Sequence, residues 1–402
     1  MFCRSIEIET PLDLTSVCAD NGMLFEREGL GYASRGVMAT IGEHEITNYL
    51  ASIKNLTPEF PSPIAFGLVP FLPTEPSTFY VPEFLVSHGS NGLRFVTVLA
   101  SSESEANSER LEQFLSEVQN TRSPSAGTNT FRVAPLSPVP QYLETVARAR
   151  DTVQSGALKK VVIARDIEVT ADEPINTHSV LHRLKASFAT SYRFRVNTLI
   201  GASPELLVSV DERVVRSHPL AGTAPRTGDP DTDAQLAAEL IASTKNQVEH
   251  RLVIDMVRDT LLPHCSYLDW EAEPSIVTVA NVQHLGTAIE GALTEPTPHV
   301  MSLVKELCPT PALGGYPSAQ AIAFIQENEP FKRGYYGGAV GVLDQHGSGT
   351  FAVAIRCAEI SDDKRHARLF AGGGIVAESD PYAELAETQA KFQAMLSAIV
   401  RP

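Results

Sequence analysis

Apolar residues along the chain follow two periods, and the switches between them mark the elements. Val161 to Val169 alternates and is rich in β-branched residues, which predicts a strand. Glu205 to Val210 reads the same way, and Asp211-Glu212 turns it into Val214-Val215. Phe194 to Ile200 and Arg368 to Phe370 are further strands, and Gly338 to Leu343 with Thr350 to Ala358 forms a hairpin around the polar turn at 345–349. Helical spacing takes over in Tyr142 to Gly156, Asn176 to Phe188 and Asp233 to Leu262, the last with apolar residues at 236, 240, 252, 253 and 256. In the first third, Phe79 to Val81 and Phe95 to Leu99 are strand-like, 57–77 is Pro-rich turn, and Ser102 to Val118 is a helix. Thr121 to Pro140, rich in Ser, Pro, Gly and Thr, reads as a surface connector between a first part, 1–120, and a denser part, 141–402. Strands arrive as adjacent pairs with helices between the pairs. That predicts an α+β fold, with antiparallel or mixed sheets and helices packed outside, and not a doubly wound parallel sheet.

Composition narrows the function. With 402 residues, 43% hydrophobic and 20% charged, the chain has the make-up of a globular protein with a large core. A net charge of −16 argues against nucleic acid or an anionic membrane as partner, because both reward clustered Lys and Arg. An anionic substrate therefore needs a local basic pocket. The five cysteines are scattered without CxxC spacing, as in a reducing, cytoplasmic setting. The N-terminus carries acids where a signal peptide has its apolar run, and no apolar run reaches membrane-spanning length. No GxGxxG or GxxxxGK[ST] lies between a strand and a helix, so nucleotide cofactors get little support.

Candidate chemistry concentrates near the C-terminus. The run Gly372-Gly373-Gly374 reads as a loop that exposes backbone N–H groups to a ligand. Asp380-Pro381 is a helix start, and Glu384, Glu387 and Lys391 then share one face. Two carboxylates and an ammonium beside such a loop suit a divalent cation and an anionic small molecule, or simply form a solvated face with an i,i+4 pair. Lys160 stands at the head of an apolar strand, where it either reaches water or, if enclosed, becomes a usable base. Glu205 enters another apolar strand, exposed at its end or buried as an acid with a raised pKa. Glu249 lies mid-helix beside His250, on an exposed polar face or as a third carboxylate for a hard cation such as Mg²⁺. Zinc would want His or Cys at short spacing, which is missing. Arg356, in the apolar strand Ala352 to Ala358, needs an anion from the protein or from a substrate.

The segments at 159–165 (KKVVIAR), 201–207 (GASPELL), 218–224 (HPLAGTA), 243–250 (STKNQVEH), 282–291 (VQHLGTAIEG), 308–317 (CPTPALGGYP), 328–341 (NEPFKRGYYGGAVG), 354–360 (AIRCAEI) and 369–392 occur together and in order. Over roughly 141–402 the chain thereby resembles the chorismate-utilising enzymes: the isochorismate, salicylate, anthranilate and aminodeoxychorismate synthases. The resemblance implies one large catalytic fold of antiparallel or mixed sheets in a sandwich with outer helices, which residues 1–120 complete. It implies that Lys160 is the base activating water and Glu205 the acid protonating the departing hydroxyl. Glu249, Glu384 and Glu387 match Mg²⁺-binding carboxylates, Glu384 reaching the metal through water. Arg356, Lys391 and the Gly372, Gly373 and Gly374 amides match holders of substrate carboxylates, and Gly222, His284, Thr287, Ala312, Leu313 and Tyr336 match pocket-lining positions. Ala221 stands where the aminodeoxychorismate branch often has a nucleophilic lysine, and Ala224 where the amination branches usually have arginine. The loop 310–317 also resembles isochorismate synthases, and Asn246 departs from the acid many relatives carry there. The implied protein is a cytoplasmic, monomeric, Mg²⁺-dependent isochorismate synthase acting on chorismate without an amidotransferase subunit. Its product would feed siderophore, salicylate or menaquinone synthesis. A salicylate or amination-type synthase is the alternative enzyme, and a chorismate-binding regulatory protein the alternative outside catalysis.

Overall fold

Among the described residues, twenty strands hydrogen-bond into one continuous network, and three more form a small separate sheet. The computed structural model describes residues 1–121, 129–279 and 282–401. Among these residues every strand pairing is antiparallel except that of Phe2–Glu7 with Lys54–Asn55. The fold is α+β, as expected from neighbouring strands that pair. The first third is woven into the rest: Met23–Arg27 pairs with Tyr192–Val196, and Ile64–Val69 with Ala339–Asp344. Among the described residues no helix is long and apolar enough to cross a membrane.

One strand, Lys160–Ala171, organises the functional part. Its side chains alternate across a sheet buried on both faces, which is why it reads as a near-continuous apolar run. It pairs along its length with His366–Ile375, and its first two residues also pair with Gly315–Tyr316. Two buried arginines fix its position. Arg165 donates to Thr388 Oγ1 (2.9 Å) and Gln389 Oε1 (2.8 Å) of the last helix, its guanidinium lying over the rings of Tyr142 and Phe392. Arg333 pairs with buried Glu329 and donates to the carbonyls of Leu313 and Val162, both at 2.8 Å. Glu329 in turn accepts the Ala164 N–H at 2.8 Å. Buried charges of this kind need partners: Arg333 has the Glu329 carboxylate, and Arg165 has neutral acceptors and two ring faces. The two arginines lock the strand to the helix and loop around it.

Several expected elements are corrected. The glycine run is not a loop: Gly372, Gly373 and Gly374 lie inside strand His366–Ile375, opposite Ala164, Ile163 and Val162. Leu220–Pro225, part of the motif at 218–224, is a strand of the small sheet. The stretch 233–262 is two helices, Pro230–Ala242 and Thr244–Leu261, broken at extended Ser243. The Ser243 hydroxyl caps the second helix by accepting the Asn246 N–H, a local bond that competes with continued helix. Phe194 to Ile200 is a tight hairpin, Tyr192–Val196 into Leu199–Ser203, turning at Asn197 with φ 52°, a conformation Asn tolerates. The segment 350–358 ends as a strand at Val353 and resumes at Cys357, with Arg356 between at φ 51°. The helix expected from Ser102 begins at Ser108, capped by Asn107. Residues 122–128 of the expected connector lie outside the described residues, while Phe131–Pro135 forms an edge strand against Lys160–Ala171.

Candidate active site

The break at Ser243 aims helix Thr244–Leu261 at the glycine strand, and a cavity of about 240 Å³ opens between them. Its lining gathers residues that stand far apart in the chain: Glu205, Gly222, Glu249, His284, Ala312, Leu313, Tyr336, Arg356, Gly372, Gly374, Glu384, Glu387 and Lys391. Three expected residues sit one layer behind. Lys160 is 1% exposed and reaches the cavity through its ion pair with Glu249, Nζ to Oε1 at 2.7 Å. Thr287 does not line the cavity; it shares a 2.8 Å hydrogen bond with the buried ring of His250. Gly373 backs onto Glu384.

The glycines serve by having no side chain. A Cβ on Gly374 would stand 2.7 Å from Lys160 Cε and 3.1 Å from Glu249 Oε1. On Gly373 it would stand 2.6 Å from Glu384 Oε2, and on Gly372 3.1 Å from the Tyr336 hydroxyl. The strand thus lets these functional side chains approach its backbone. Gly222 has φ 68° and packs against Asn246, so both the conformation and the close contact favour glycine.

Electrostatics separates two roles. Glu205 is 3% exposed, and burial pushes its carboxyl up to about 8, against the opposing pull of the Leu220 N–H and the charges of Lys160 and Arg356. It is a neutral acid at pH 7. Lys160, close enough for its charge to act on Glu205, is held by Glu249. Acid and amine therefore share one enclosed site.

A second group suits an anion. Arg356 is buried and has no carboxylate within ion-pair distance among the described residues; its Nη2 donates to His284 Nε2 at 3.1 Å. Burial and the Arg356 charge lower the His284 pKa to about 3, so the ring is neutral, with Nδ1–H donating to the Gly222 carbonyl at 2.9 Å. Lys391 donates to the Gly372 carbonyl at 2.8 Å and pairs with Glu387 at 2.6 Å.

The three carboxylates assigned to a cation line the cavity but do not converge into a formed set. Among the described residues no three His, Cys, Asp or Glu side chains are gathered closely enough to hold a metal as they stand. Glu249 turns to Lys160, Glu387 to Lys391, and Glu384 accepts from Ser379 Oγ at 2.8 Å, because each finds a closer positive or polar partner than its like-charged neighbours. The donor chemistry still fits Mg²⁺. The set is all oxygen, and burial together with the Glu387 charge raises Glu384 to about 7. A carboxyl crowded by a like charge is one that a hard cation relieves. Burial pushes Glu387 up as well, but Lys391 outweighs it and holds that carboxyl below its usual range.

Sequence reasoning missed other lining residues, among them Lys245, Thr223, Ile355 and Phe370. Two had a signal: Lys245 precedes Glu249 by four residues on one helix face, and Phe370 shares the period-2 face of Gly372 and Gly374.

A family model described as chorismate binding enzyme matches residues 43–400. The isochorismate synthase DhbC of Bacillus subtilis (strain 168) is 39% identical over 282 residues, 67% of this chain and 70% of that protein. The isochorismate synthase EntC of Escherichia coli (strain K12) is 35% identical over 341 residues, 84% of this chain and 81% of that protein. Among solved structures, that of MenF, the menaquinone-specific isochorismate synthase from Escherichia coli, superposes with a TM-score of 0.83 at 25% identity, covering 99% of this chain and 94% of that one.

Proposed function

The chain belongs to the chorismate-binding enzyme family, and from that premise we propose that it is an isochorismate synthase, an isomerase converting chorismate to isochorismate. Water adds at C2 of the ring, the ring double bonds shift, and the C4 hydroxyl departs as water. Glu205 supplies the proton to the departing hydroxyl, and its burial keeps that proton in place at neutral pH. Lys160 takes the proton from the attacking water. An ammonium cannot accept a proton, so base action requires Lys160 to part from Glu249 and give up one proton to solvent before water attacks. Arg356 and Lys391 hold the substrate's two carboxylates, with His284 fixing the guanidinium through its neutral ring. Glu249, Glu384 and Glu387 would hold Mg²⁺, which neutralises carboxylate charge in site and substrate. The catalytic groups belong to 141–402, and residues 1–120 complete the fold around them.

Water is the nucleophile on this reading because position 221, in the cavity lining, carries a methyl group and no amine. The observation that carries the reading is the buried, proton-holding Glu205 in the same enclosed site as Lys160. The test incubates the protein with chorismate and Mg²⁺ and separates the products by chromatography. Isochorismate forms without ammonia and without pyruvate release. Folded protein that leaves chorismate unchanged refutes the assignment, and salicylate with pyruvate moves it to the synthase branch.

A further inference from the structure

The charge of the whole chain opposes its substrate. At −16 the protein repels a dianion at distance, so the approach must be corrected close to the cavity. Four basic side chains stand there, and three are occupied inside. Lys160 is paired with Glu249, Lys391 with Glu387, and Arg356 is buried against His284. The fourth is Lys245, in the first turn of helix Thr244–Leu261. It lines the cavity, is exposed, and has no hydrogen-bond or ion-pair partner among the described residues. It also stands near enough to Glu384 for its charge to oppose the rise in that carboxyl's pKa.

From this placement we infer that Lys245 is the capture residue of the cavity, the cation that meets a dianionic substrate at the mouth before Arg356 and Lys391 take its carboxylates. This rests on the chorismate reading. An exposed ammonium on a flexible stem suits that role, because it reaches outward, holds loosely and costs little to release. Its contribution falls on the approach and the encounter complex, and the reacting atoms lie deeper, beside Lys160 and Glu205. The effect therefore belongs in kcat/KM and its dependence on salt, not in kcat.

The experiment measures steady-state conversion of chorismate at fixed Mg²⁺ while KCl rises from about 20 to about 300 mM, a range over which the screening length shortens from about 20 to about 6 Å. Wild type, Lys245→Ala, Lys245→Glu and Lys245→Arg are compared with Lys54→Ala, which removes another exposed lysine, one outside the cavity lining. At low salt Lys245→Ala loses about three- to tenfold in kcat/KM through KM, with kcat within about twofold, and its salt dependence flattens. Lys245→Glu loses more and improves as salt rises, Lys245→Arg behaves as wild type, and so does Lys54→Ala. Mg²⁺ affinity by calorimetry does not fall in Lys245→Ala, because the lost ammonium is a repulsive neighbour of the cation and not a ligand. The assignment is overturned if Lys245→Ala keeps the wild-type kcat/KM and salt slope, if its loss falls on kcat, or if its Mg²⁺ affinity drops. Wild type that neither converts nor binds chorismate overturns the chorismate reading itself, a separate result visible before any variant is made.

Discussion

The Glu205 carboxyl links activity, stability and pH through one number. Moving a carboxyl from its ordinary 4.5 to about 8 favours the neutral form by ~5 kcal/mol, at about 1.4 kcal/mol per pH unit. At pH 7 roughly nine in ten molecules then carry the proton, against fewer than about one in a hundred for an unperturbed glutamate. If Glu205 is the acid, kcat/KM, which reports the free enzyme, falls about tenfold per pH unit once pH passes the midpoint near 8. Chorismate itself stays a dianion throughout, so the limb belongs to the protein. Glu205→Gln removes the proton donor and costs about 10²- to 10⁴-fold in turnover. Stability supplies an independent readout. The folded-state value lies above the unfolded one, so between 4.5 and about 8 the folded chain binds more protons than the unfolded chain. The stabilisation is therefore complete below 4.5 and is lost progressively as pH rises to about 8, by up to ~5 kcal/mol. Glu205→Gln, which cannot ionise, lacks this slope. Urea unfolding and chromatographic assays across pH 6 to about 9.5 measure both. A flat kcat/KM profile above pH 7, or a Glu205→Gln enzyme with more than about a tenth of wild-type activity, refutes the argument.

Other changes separate the parts of the site. Lys160→Ala abolishes turnover while circular dichroism stays that of the wild type; retained turnover removes Lys160 from the base role. Gly373→Ala drives a methyl to 2.6 Å from Glu384 Oε2 and weakens Mg²⁺ binding by about 10- to 100-fold in calorimetry; unchanged affinity dissociates Glu384 from the cation. Chelation of Mg²⁺ stops turnover and added Mg²⁺ restores it in the wild type, while Glu387→Gln binds the ion too weakly for full recovery. Far from the cavity, Glu26→Gln strips buried Arg193 of its ion-pair partner and destabilises the fold by about 3–5 kcal/mol in urea; a loss below about 1 kcal/mol means the guanidinium finds another acceptor.

Most strands are legible in the sequence because their patterns are local. Val161 to Val169 and the turn at Asp211-Glu212 follow from β-branched alternation and turn chemistry alone, and the start of the last helix from Asp380-Pro381. The misreadings share a cause. A glycine run looks like a loop when read locally, yet here the missing side chains are dictated by Lys160, Glu249 and Glu384, which come from three other segments. Ser243 looks like an ordinary helical residue until its hydroxyl is seen capping the next helix. Arg356 belongs to an apolar run that reads as one strand, and its left-handed φ comes from the tertiary turn between two strands. The composition of the site is legible through matching motifs. The pairing inside it is not, since nothing in the order of residues says that Glu249 holds Lys160 or that His284 holds Arg356.

Those pairings explain how so acidic a chain can host a dianion. Glu205 is neutral at pH 7, and Glu384 sits near its own midpoint at about 7. Lys160 and Lys391 are matched by Glu249 and Glu387, which leaves Arg356 and Lys245 without carboxylate partners among the described residues. The cavity therefore carries surplus positive charge inside a protein of net charge −16. The same burial that raises the Glu205 carboxyl enlarges the effect of that surplus, because charges in a poorly solvated cleft are weakly screened. Acid catalysis and anion binding thus draw on one physical condition, exclusion of water. A substitution that opened the cavity to solvent would weaken both together: Glu205 would lose its proton at neutral pH, and the grip of Arg356 would fall toward that of a surface ion pair.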